Sequence, residues 1–236
     1  MRIGSTDISV FNAKQRTVSY SSHNSISNGS EWRKGAVLPY LSANRIGFKT
    51  LTVTMWVYGT SRAQICARVS NILALMINKV TLTLDDSDHL FTGILKSHKH
   101  EERAVNKWHI LTLTLDGYEH GALTTVSGKT SIAVNNPGNI ISPAIVTLTA
   151  SSAVASAKLT GLCRDSFTGA DLEVTVPSLV SGSPVVIDAL TGLVTQGGNP
   201  KKMDLWALPS VVPGANTVTC NSTKVTVKVE VLPLYI

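Results

Sequence analysis

The chain has 236 residues, of which 43% are hydrophobic and only 15% charged, with Val and Thr abundant. At that length a core forms without metal or disulfide, and the composition excludes a disordered tail, a coiled coil and a helical bundle. The net charge of +6 lies entirely within residues 1–138. Its cations are scattered, as at Lys14 and Arg16, Arg33 and Lys34, Lys96 and Lys99. They lack the runs and interleaved aromatics of a nucleic-acid binder, so the basic half reads as a solvated surface or a face for an acidic protein partner.

Residues 1–45 are polar, and Ser19–Ser30 is rich in serine, so this part reads as a long loop or arm. A strand is expected at Thr50–Tyr58, where Leu51, Val53, Met55 and Val57 alternate with Thr52, Thr54 and Trp56. A helix over Arg62–Asn78 follows. Ser61 and Gln64 have the spacing of a capping box, and Ile65, Val69, Ile72, Leu73 and Met76 share one face. The period then returns to two. Val80–Leu84 and His89–Lys99 are expected to pair across the Asp85–Asp88 turn, and Trp108–Leu115 supplies a further arm. Ala122–Val126 and Thr130–Val134 read as a hairpin around Ser127-Gly128.

Asn135-Asn136-Pro137-Gly138-Asn139 is the strongest punctuation and coincides with the change in charge, so the domain boundary is placed there, giving domains 1–138 and 139–236. Beyond it the expected strands are short: Ala144–Thr149, Asp171–Val176, Pro184–Asp188, Leu193–Gln196, Thr217–Cys220 and Lys224–Leu232. Short strands separated by turn residues indicate a β-sandwich.

Few motifs carry chemistry. Gly128-Lys129-Thr130 resembles the end of a phosphate-binding loop, but the first glycine is missing and the following residues look extended. His98, His100 and His109 form the histidine cluster, in which His98 and His100 could hold zinc with Glu102 or His109; a solvated hairpin tip is the plainer reading. Asp85, Asp86 and Asp88 lack the glycine and distal glutamate of a calcium loop. Cys66, Cys163 and Cys220 are an odd, widely spaced set that suits buried reduced thiols. There is no G-x-S-x-G elbow and no evident carboxylate pair, so no catalytic constellation is expected. Trp206, with Asn199, Asp188 and Asp204, could make an aromatic platform for a sugar. No run of about 18 apolar residues is present, and Arg2 is not followed by an apolar stretch, so a soluble protein made in a cytoplasm is expected.

A wider pattern spans nearly the whole chain. The polar arm leads to Trp32-Arg33-Lys34-Gly35-Ala36 and Pro39, then the Thr-rich strand, the helix and the hairpins. The second half carries Val186-Ile187-Asp188, Thr191-Gly192-Leu193-Val194 and the run from Pro209 to Thr217 with its Pro213-Gly214-Ala215-Asn216 turn. This order resembles the distal tail protein family of long-tailed bacteriophages. The resemblance implies a mainly β fold: an N-terminal tail-tube-like sandwich or split barrel with one helix, then a galectin-like sandwich. It implies a non-enzymatic hub at the tail tip of the virion, a homo-oligomeric ring, six-membered by expectation. The ring joins the tail tube protein to tail-tip proteins and surrounds the tape measure protein and passing DNA, with no cofactor, no metal and no membrane. Ser19, Ser30, Trp32 and Arg33 in and beside the arm are the expected interface positions. The rival classes are a carbohydrate-binding sandwich protein, resting on Trp206, Asn199 and Asp188, and a tail-tube or adaptor protein.

Overall fold

The computed structural model describes residues 1–21, 26–27, 30–31, 40–41, 45–103, 107–164, 169–203, 205 and 207–236. They divide into two units, Met1–His120 with Ile236, and Gly121–Tyr235. Both are built of antiparallel strands. Arg62–Ala74 is the α-helix among the described residues, and no described helix is long and apolar enough to cross a membrane.

In the first unit the strands lie in the spatial order Thr6–Asp7, Arg2–Ile3, Val80–Thr83, Leu90–Glu101, Trp108–His120, Lys49–Tyr58, Ala13–Ser21. The two central strands obey the period of two. Leu51, Val53 and Met55 stand opposite Leu115, Leu113 and Leu111, and all six are fully buried. Thr52, Thr54, Thr112 and Thr114 point to the other face, where the hydroxyls of Thr54 and Thr112 meet at 3.4 Å.

The helix covers the leucine-rich face. Ile65, Val69 and Ile72 are buried, as is Met76 just beyond its end, and Leu73 packs beside them. Ser61 caps it as the spacing requires, accepting from the Gln64 N–H at 3.3 Å. The reciprocal half differs: the Gln64 side chain accepts from the Thr60 N–H at 2.9 Å. The helix also stops at Ala74, four residues before the expected Asn78.

The polar arm is shorter than its composition implies. Ala13–Ser21 is a strand along Lys49–Tyr58, with Ser19 opposite Thr52 and Tyr20 opposite Leu51. An edge strand needs one partner and little burial, so a serine-rich segment can serve.

The second unit is a sandwich. One sheet runs Thr124–Gly128, Val225–Val231, Ser142–Ala150, Val185–Asp188, Leu193–Gln196, Asn199–Pro200; the other runs Ser131–Asn136, Gly214–Cys220, Val154–Arg164, Asp171–Leu179. Alternate residues of both fill the core, among them Val146, Leu148, Val227 and Val229 from the first, and Val134, Leu159, Val176 and Val218 from the second. Val154–Arg164, the longest strand of this unit, was not expected from the sequence. Its register shifts between Leu159 and Cys163, around Gly161 at φ +83°, where a Cβ would collide with the Thr217 carbonyl oxygen. A glycine is required there.

The division between units falls after His120 rather than at Asn135–Asn139, which lies inside the second unit. The reason is pairing. Thr124–Gly128 and Ser131–Asn136 do not form the expected hairpin; the first pairs with Val225–Val231 and the second with Gly214–Cys220, on opposite sheets. The Asn136 side chain meanwhile ties the punctuation down from within, donating to the Val211 carbonyl at 2.9 Å and accepting from the Gly138 N–H at 2.9 Å.

Candidate functional site

Two clusters of titratable side chains in the first unit combine burial with close contact. In one, Lys49 and His89 both bond the carboxylate of Glu119, His89 Nδ1 at 2.6 Å, and the Lys49 ammonium also lies 4.6 Å from the centre of the Tyr20 ring. Lys49 and Glu119 retain only 12% and 11% of their side-chain exposure. Burial by itself pushes the Glu119 carboxyl up, but the bonds from Lys49 and His89 outweigh it and hold the group below its ordinary value. This cluster clamps Lys49–Tyr58, Trp108–His120 and the residue before Leu90–Glu101 together at one end of the sheet.

The other place is the opposite end of that sheet, under the first turns of the helix. His100 on one strand and His109 on the next place Nε2 and Nδ1 2.8 Å apart, with ring centres separated by 5.0 Å. His109 is fully buried, on the same face as Leu111 and Leu113, and its Nε2 has no partner among the described residues. Cys66 of the helix brings a third donor: one ligand atom from each of Cys66, His100 and His109 lies within 4.8 Å of the others. Burial, and then the neighbouring His109, lowers the His100 value, so its ring is neutral at neutral pH. Arg62, one helical turn before Cys66, holds Glu102 through two bonds of 2.6 Å.

This revises the histidine reading. His98 is exposed and stands apart, Glu102 is engaged by Arg62, and Cys66 takes the third place. Cys66 was invisible in the sequence as a partner because 34 residues separate it from His100 and no motif links helix to strand. It is half-buried, whereas Cys163 and Cys220 are buried as expected; all three are free thiols. Burial pushes the Cys163 thiol up to about 11.

The remaining positions singled out in the sequence fall as follows. Ser19 is exposed on its edge strand; Ser30 sits in the short pairing Ser30–Glu31 with Tyr40–Leu41; Trp32 and Arg33 lie outside the described residues. Trp206 and Asp204, half of the proposed sugar platform, also lie outside them. Asn199 is exposed beside Gln196 in a short pairing. Asp188 serves its own turn, its carboxylate accepting from the Leu190 N–H at 2.8 Å and the Thr191 hydroxyl at 2.8 Å. Gly128-Lys129-Thr130 is the turn between strands on opposite sheets, with no helix to receive a phosphate. Asp85 bonds the amino group of Met1, and Asp86 accepts from the Gln15 amide at 2.9 Å.

No family model matches the chain, and no curated protein matches it in sequence. Solved structures are similar to it to different degrees. A chain from the structure of the phage P2 baseplate in its activated conformation with Ca aligns over 92% of this chain and 90% of its own, at 9% identity and a TM-score of 0.46. The SPP1 Dit (gp 19.1) protein, a hub of the adsorption apparatus in phages infecting Gram-positive hosts, aligns over 99% of this chain and 98% of its own, at 14% identity and a TM-score of 0.72. From end to end, this chain has the fold of a phage Dit protein.

Proposed function

We propose that the chain is a structural subunit of a phage tail hub. The observation that carries this reading is the end-to-end likeness to the SPP1 hub protein, which spans both units in one alignment. A fold hosts many functions, but two β units in the same order over the full length are a more demanding match than either alone. In this reading the chain is not an enzyme. It assembles into a closed ring of identical subunits, because a head-to-tail contact must close or grow into a filament, and the ring is six-membered as the family resemblance implies. The ring contacts the tail tube protein on one side and tail-tip proteins on the other, encloses the tape measure protein and then DNA, and stays in the virion. The excess of basic residues then lies outside the lumen or against an acidic partner, since a positive lining would retain DNA through its phosphates.

Light scattering and negative-stain imaging of the full chain, alone and with its tail tube protein, test this. Six copies of 25.1 kDa give about 151 kDa and a ring with rotational symmetry. A chain that stays monomeric in both samples, and is missing from purified virions, is not a hub.

A further inference from the structure

We infer that Cys66, His100 and His109 form a binding site for a zinc-class divalent cation, with water in the fourth position. The donor set is the first argument. One thiol and two imidazoles suit a borderline-soft ion such as Zn²⁺, which takes tetrahedral nitrogen and sulfur ligands.

Distance is the second. Two imidazole nitrogens at about 2.0–2.1 Å from one tetrahedral ion lie about 3.3 Å apart, and a thiolate sulfur at about 2.3 Å lies about 3.6 Å from each. His100 Nε2 and His109 Nδ1 are 2.8 Å apart, and the three donor atoms fall within 4.8 Å. Adjustments of about an ångström or less convert the group into a coordination shell, and these lie within the reach of side-chain rotation.

The burial of His109 points the same way. Its strand continues Leu115, Leu113 and Leu111 on the core face, where the period calls for another aliphatic residue. An imidazole stands there instead, fully buried, and among the described residues it bonds His100 alone and leaves Nε2 unpartnered. The described protein groups therefore leave its tautomer unfixed. A cation at Nδ1 would fix it. The helix residue facing this pair is likewise Cys66, not an aliphatic like Ile65, Val69 or Ile72.

The surroundings position these donors. Arg62 and Glu102 join the helix to the strand end, four residues before Cys66 and two after His100. On binding, the hydrogen shared by the two rings moves to the outer nitrogen of the ring that carried it. The thiol releases one proton to solvent, and a thiolate with two neutral imidazoles faces the dication. The site is independent of the hub reading: it lies within one unit, and its presence or absence leaves ring formation undecided.

The test is titration of the metal-free full chain with Co²⁺ and Zn²⁺. One equivalent of Co²⁺ should give tetrahedral visible bands and a sulfur-to-cobalt charge-transfer band, and one equivalent of Zn²⁺ should displace it and raise the melting temperature. Cys66→Ser should abolish the charge-transfer band. His100→Gln, at a half-exposed position, should weaken Zn²⁺ binding by more than the roughly 10–100-fold that loss of an outer-shell partner costs. His98→Gln should change neither. The inference is overturned if wild-type chain shows no saturable one-to-one binding, if bound Co²⁺ lacks the sulfur band, or if Cys66→Ser binds Zn²⁺ as tightly as wild type.

Discussion

Replacing Glu119 by Gln keeps the shape of the side chain and removes its charge, which isolates what the buried pair contributes. The Lys49 ammonium would then sit, 12% exposed, without its counter-ion. Breaking a buried pair from one side costs about 3–5 kcal/mol, because a desolvated charge is left behind. Two features reduce that here. The Tyr20 ring, 4.6 Å from the ammonium, still attracts it by about 0.5–2 kcal/mol, and the glutamine keeps one acceptor oxygen. The expected loss is about 2–3 kcal/mol. Urea unfolding measures it, with amide exchange in Lys49–Tyr58 and Trp108–His120 assigning the transition to the first unit. Lys49→Met combined with Glu119→Leu should recover most of the loss, since an apolar pair of similar volume replaces a buried ion pair at little cost. The acid limb gives a second reading. The folded carboxyl is held below the ordinary 4.5, so the unfolded chain takes up the proton first as the pH falls. The pair's stabilisation is complete above about pH 4.5 and disappears as the pH drops through the folded value. Glu119→Gln should lack that part of the slope. A variant within about 0.5 kcal/mol of wild type, with the same acid limb, would refute the reasoning.

The helix offers another check by chemical denaturation: Ser61→Ala should cost about 0.5–2 kcal/mol through the lost cap. Ile72→Asp should exceed about 4 kcal/mol by burying a charge among Met55, Leu113 and their neighbours, and a fully stable Ile72→Asp would mean that the helix packs on a different face. The boundary is checked by two fragments. Residues 121–236 should melt cooperatively with β-type circular dichroism, whereas 139–236 loses an outer strand from each sheet and should aggregate or fail to melt cooperatively; equal behaviour of the two would sink the assignment of these strands.

The elements that were legible in the sequence are those whose burial is one-sided and regular. Leu51 to Val57 and Leu111 to Leu115 alternate because one sheet face meets the helix and the other does not, and Ile65, Val69 and Ile72 recur because one helix face does. Leu193–Gln196 matched residue for residue, being fixed by turn residues on both sides. Val154–Arg164 escaped notice because its apolar residues lose their alternation across the Gly161 bulge, leaving Leu162 and Cys163 both buried. Ala13–Ser21 escaped because an edge strand exposes most of its side chains. The supposed hairpin at Ser127-Gly128 failed for a different reason. Local turn chemistry says that the chain reverses, not which strand each arm will find, and here each partner lies close to the other end of the sequence. Spacing along one strand pointed to His98 with His100, whereas the fold pairs His100 with His109 of the next strand, and the third member, Cys66, needed the helix to be set down on the sheet.

That same arrangement of Thr124–Gly128 and Ser131–Asn136 governs when the second unit can form. Thr124 pairs with Val231, 107 residues away, and Ser131 with Thr219. During synthesis both strands leave the ribosome early and wait for almost the whole unit before their partners exist. The first unit waits less, since Leu51 pairs with Leu115 and Arg2 with Thr83 over shorter separations, and Leu90–Glu101 with Trp108–His120 joins neighbouring segments. Loop closure over such long separations is slow, and unpaired strands exposed meanwhile invite association between chains. The second half of this protein therefore has the longer exposed interval, and fewer nascent chains at a time, which limits association during the wait, should improve its yield more than any change to the first.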